Sequence, residues 1–82
     1  MTNELCQRWR SFTRRHDEYR DAGEHTKASD CVDLVVNWLE GYAAAMRDNG
    51  YFEAASDALF LSSMAIERDA LFFREYLDAC HG

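Results

Sequence analysis

The residues of this chain able to take part in chemistry are three histidines, three cysteines, a Ser62-Ser63 pair and a set of arginines crowded toward one end. A metal needs ligands that converge. The nearest groupings are His25 with Cys31, and Asp78 with Cys80 and His81. Neither brings together the four close ligands of a structural zinc. Asp78-x-x-His81 has the i,i+3 spacing used on helices that hold di-iron centres, but no Glu-x-x-His accompanies it. Nucleophilic catalysis needs a thiol or hydroxyl held against a base, and Cys6, Cys31, Ser62 and Ser63 lack the elbow or glycine loop that would hold one there. Phosphate-cradling loops are absent as well. The expectation is a protein with no catalytic residue, no metal and no cofactor. His16 stands apart because it lies on an apolar stripe between Phe12 and Tyr19. It reads either as a pH-responsive or ligand-contacting group or, the reading preferred here, as a boundary histidine hydrogen-bonded to a neighbour.

The arginines raise a different chemistry. Arg8, Arg10, Arg14, Arg15 and Arg20, with Trp9 and Phe12 between them, are residue types that grip phosphates and stack on bases. Against that, Asp17, Glu18 and Asp21 share the segment, the aromatics fall on the stripe a core would want, and the whole chain carries a net charge of −6. The arginines are expected to pair with acids of neighbouring helices, or with an acidic strip on a second copy. The acidic two thirds of the chain could also speed and orient association with a basic surface.

These residues are positioned by helices. The chain has no proline and four glycines, which leaves few turns and favours a few long helices. At 82 residues it is one small domain, 1–82, able to bury only about 60 to 65% of its unfolded surface. No apolar run reaches the ~18 residues of a membrane span, and Arg8, Arg10, Arg14 and Arg15 interrupt any signal-peptide core, so the chain reads as cytosolic or as acting in a host cytosol, without a membrane partner. Three scattered cysteines give no disulfide framework and fit reduced thiols used as small apolar residues.

The predicted elements are helices over about 3–22, 25–48 and 51–79. In the first, Thr2 or Asn3 can cap the start, Leu5, Trp9, Phe12, His16 and Tyr19 form one stripe, and Gly23 marks the stop. In the second, Thr26 or Ser29 is the candidate cap, and Gly41 in the middle suggests close approach of another helix. Asn49-Gly50 is the strongest turn signal in the chain. Small residues on both sides of it (Ala43, Ala44, Ala45, Ala54, Ala55, Ala58) predict a long antiparallel hairpin of helices two and three, with helix one across its groove.

Helix three is the unusual element. Phe52, Ala55, Leu59, Ile66, Ala70, Phe73 and Leu77 share one face; Ala58, Leu61, Ala65, Phe72 and Tyr76 form a band beside it; Phe60, Met64 and Leu71 project nearly opposite. Two other helices cannot cover all of it. The third line, bordered by Glu53, Asp57, Glu67, Glu75 and Asp78, is expected to stay open as a partner or dimer interface built on Phe60, Met64, Leu71, Asp57, Glu67 and Glu75. Arg8, Arg10, Arg14 and Arg15 are the alternative charged surface.

Gly50-Tyr51-Phe52-Glu53-Ala54-Ala55, followed by Leu59 and Phe60, resembles the turn and second helix of a tetratricopeptide repeat over about a third of the chain, without the Trp-x-x-Leu-Gly opening of that repeat. In type, a short acidic helical domain without enzyme motifs is similar to phage-encoded antagonists such as anti-CRISPR proteins, and to acidic secretion chaperones. Those likenesses imply a protein partner. The reading is an all-α three-helix bundle, dimerising, that acts as a non-enzymatic regulator or inhibitor by occupying a partner's surface; the alternatives are a nucleic-acid binder using helix one, and a chaperone or adaptor.

Overall fold

The computed structural model describes residues 1–81, and the side chains of all of these except Tyr76, Ala79, Cys80 and His81. It contains three helices, α1 (Asn3–Asp21), α2 (His25–Asp48) and α3 (Phe52–His81), and among the described residues no strand. The punctuation follows local chemistry. Thr2 caps α1, its hydroxyl oxygen accepting the Leu5 amide at 3.2 Å. Gly23 takes φ +70 after α1, a conformation open to glycine at no steric cost, and the Glu24 amide then reaches back to the Tyr19 carbonyl. The second stop is built alike: Gly50 has φ +83 and the Tyr51 amide reaches the Met46 carbonyl at 2.8 Å.

At the start of α2 the expectation is corrected. The helix begins at His25 with Glu24 in the cap position, and no side chain caps it, because the chain folds back directly from Gly23. Thr26 and Ser29 both lie inside the helix, and Ser29 uses its hydroxyl elsewhere.

The molecule is a helical bundle 49 × 18 × 17 Å along its principal axes, so the helices run lengthwise. The most extensive contact is between α2 and α3; α1 lies against α2 and meets α3 much less. It touches both members of the pair. The core is drawn from Leu5, Phe12 and His16 of α1, from Cys31, Val32, Val35, Leu39 and Ala43 of α2, and from Ala55, Ala58, Leu61, Ala65 and Phe72 of α3. Small side chains dominate the α3 contribution, which lets its backbone come close to α2. The Tyr42 hydroxyl, 2.9 Å from that of Thr2, ties the start of α1 to the far part of α2.

Two corrections concern which surfaces are covered. On α3, the band of Ala58, Leu61, Ala65 and Phe72 is the buried one, whereas Phe52, Leu59, Ile66, Phe73 and Leu77 of the first face are exposed and only Ala55 of that face is buried. Periodicity marks both as apolar; close packing against α2 selects the line with the smaller side chains. Gly41 is exposed, and a Cβ built on it meets nothing within 4 Å, so no helix of this chain approaches it. A glycine in an open helix interior costs conformational entropy without any packing return. Gly41→Ala is therefore expected to raise stability by roughly 0.5–1 kcal/mol in chemical denaturation, with the urea dependence of the free energy unchanged.

Candidate functional site

One polar cluster sits inside the bundle. His16 is only 1% exposed, held between the rings of Phe12 and Phe72, and its Nε2 lies 3.3 Å from the Asp69 carboxylate. The Ser29 hydroxyl donates to the other oxygen of Asp69 at 3.2 Å. A buried imidazole needs such a partner, and Asp69 is set to supply it from α3. The histidine is thus a core residue where the sequence suggested a boundary one. Serine, aspartate and histidine meet here in an order that does not serve as a nucleophile relay, since the carboxylate and not the imidazole is the middle member. What the cluster does is join all three helices at one level. Asp69→Ala is expected to cost about 1–3 kcal/mol by leaving the imidazole unpaired, while His16→Leu combined with Asp69→Ala costs less than the two single changes added together; denaturation of the four proteins of that cycle gives the coupling.

Cys31 lies close to this cluster and is buried; burial pushes its thiol above the ordinary value of 9.0, Arg15 pulling it down and Asp69 adding to the rise. It is a packed thiol and a poor nucleophile at neutral pH. In the unfolded chain the same thiol ionises first, so folding loses support as pH rises above 9.0 toward the folded value. The expected outcome is a wild-type stability that falls between pH 9 and 10 more steeply than that of Cys31→Ala, followed by urea denaturation at each pH. Of the metal groupings considered from sequence, His25 stacks against Phe72 and Phe73 at 5.5 and 5.0 Å, and the Cys80 and His81 side chains lie outside the described residues. Among the described residues no three His, Cys, Asp or Glu side chains converge as metal ligands.

The larger feature is the outside of α3. Phe52, Leu59, Phe60, Met64, Ile66, Leu71, Phe73 and Leu77 are between 39% and 67% exposed. Large apolar side chains in such numbers on one helix of so small a molecule form an exposed apolar surface. They fall in two lines, one on each side of the buried face. The Phe60, Met64 and Leu71 line is where the sequence placed an interface, and it lies toward α1: Asp57 is 3.8 Å from the Met1 amine, and Arg68 hydrogen-bonds Asp17. Glu67 and Glu75 border it, exposed. The Leu59, Ile66 and Phe73 line lies toward α2, where His25 touches Phe73. Sequence reasoning missed this second line as a surface because it had assigned it to the covered part of the helix.

For the arginines of α1, the expected pairing with acids of the neighbouring helices is not seen among the described residues. Among the described residues, Arg8, Arg10, Arg14, Arg15 and Arg20 form no ion pair with any carboxylate of the chain, and all five are exposed. Arg8 instead lies over the ring of Trp38, its guanidinium carbon 4.4 Å from the centroid. It and Arg15 flank a groove of about 300 Å³ between α1 and α2, floored by Phe12, Val35 and Trp38. No described helix is long and apolar enough to cross a membrane.

Comparison with family models, with curated proteins and with solved structures gives no match to this chain.

Proposed function

We propose that this chain is a non-catalytic protein-binding regulator or inhibitor, and that it works by occupying the surface of a partner protein while assembled as a homodimer. The observation that carries the reading is the exposure of the large apolar side chains of α3, which burial against another protein would stabilise by about 25 cal/mol for each Å² removed from water.

The line of Phe60, Met64 and Leu71 is the part assigned to the second copy. It shares one side of the molecule with α1, whose Arg10 and Arg14 are in no ion pair among the described residues, and it is bordered by Asp57, Glu67 and Glu75. A face that offers apolar residues, cations and acids together complements itself, as an isologous interface must. On this reading α2 and α3 are a long antiparallel hairpin whose outer edge is completed by the same edge of the other copy. The acidic adaptor or chaperone reading uses the same surface and differs only in the class of partner.

Arg8, Arg10, Arg14 and Arg15, exposed and in no ion pair among the described residues, favour a second reading, in which α1 binds nucleic acid. Its mark would be an affinity that falls steeply with salt and vanishes in Arg10→Glu with Arg14→Glu. For the favoured reading the measurement is the solution mass by light scattering at micromolar concentrations. The wild type is expected to run as a dimer and Met64→Glu as a monomer with its helicity intact; a wild type that is monomeric throughout overturns the dimer.

A further inference from the structure

We infer that the second exposed line of α3, on the side toward α2, is the seat for a basic amphipathic helix of another protein. The inference rests on the reading of α3 as a protein-contact surface and adds the chemistry of the partner. The spacing is the first ground. Phe52, Leu59, Ile66 and Phe73 stand seven residues apart, all exposed, and the positions four beyond the first three are Ser56, Ser63 and Ala70. Alternating steps of four and three are the seam of a coiled coil, in which large side chains act as knobs and the small positions between them leave holes. The three steps of seven extend the seam over roughly 30 Å, long enough for a helix of about three heptads. Among the described residues, His25 touches one end of it at Phe73 and the rest stands open.

The second ground is charge. Ser29 of α2 reaches α3 at Asp69, and Asp33, Val36 and Glu40 follow Ser29 at steps of four, three and four, so these residues lie on the side of α2 that borders the seam. Asp33 and Glu40 are exposed and in no ion pair among the described residues; Glu67, on the other border, is the same. Arg74 is the one cation of α3 among the described residues on that border and Arg47, seven residues beyond Glu40 on α2, the one on the other, so acids outnumber cations along the seam three to two. Two copies of this seam brought together would set acids against acids, which disfavours self-association here and distinguishes it from the line of Phe60, Met64 and Leu71 with its neighbouring arginines. A helix bearing lysine or arginine beside its apolar stripe satisfies both features.

The test uses the full chain and two fluorescein-labelled synthetic peptides of about three heptads, with Leu at a and d and either Lys or Glu at e and g. Anisotropy titration is expected to give micromolar binding of the Lys peptide and binding at least about tenfold weaker for the Glu peptide. Ile66→Glu is expected to weaken the Lys peptide at least about tenfold, and Asp33→Lys with Glu40→Lys to reverse the preference between the peptides, circular dichroism confirming that both variants keep their helices. Met64→Glu is expected to leave peptide binding unchanged while it splits the dimer, so the two surfaces fail or stand separately. The inference is overturned if the Lys peptide does not bind, if the Glu peptide binds as well, if Ile66→Glu has no effect, or if Ile66→Glu rather than Met64→Glu splits the dimer, which would put a second copy on this seam.

Discussion

The close approach of α2 and α3 sets the terms for the rest of the molecule. Ala43 from one helix and Ala55, Ala58 and Ala65 from the other are buried at this contact, and side chains of that size let the two backbones draw together. Once they have, Leu61 and Phe72 are the large apolar residues of α3 that still fit inside, and the others point outward. A longer or bulkier core face would have hidden more surface and left less to offer. The α2–α3 contact is therefore made largely by small residues, while eight large apolar side chains of α3 stay exposed.

Much of this architecture is legible in the sequence. Thr2, Gly23 and Asn49-Gly50 mark the helix boundaries to within about two residues, because capping and left-handed turns are local chemistry that a few neighbouring residues decide. The face of α3 that enters the core is not legible in the same way. Three apolar bands satisfy helical periodicity, and only the distance to α2, a property of two helices together, discriminates among them. His16 shows the same limit. Its position on an apolar stripe reads as a boundary site, because the partner that makes full burial tolerable is Asp69, far along the chain and on a different helix. The arginines of α1 illustrate the converse: acids stand three and four residues from Arg14, at workable spacing, yet no pair forms, since an exposed pair returns little for the side-chain entropy it fixes.

The buried polar cluster and the exposed apolar lines are complementary aspects of one economy. A small bundle has a short list of contacts with which to specify a unique packing, and a carboxylate shared between imidazole and hydroxyl fixes the level of α3 against α1 and α2 more strictly than alanines can. That fixed level is what gives the outer lines of α3 a defined position with respect to the acids of α2 and the arginines of α1.

The even spacing of Phe52, Leu59, Ile66 and Phe73 makes this edge of the molecule a ruler with evenly spaced graduations. Anything that grips by those side chains alone finds an equivalent seat one heptad, about 10 Å, up or down the helix, and can slide between them. Discrimination among the seats must come from features that do not repeat: the aromatic ends against the aliphatic middle, and a single acid beside each of two graduations. In the proposed docking the apolar line would supply adhesion, and the irregularities along its edge the address.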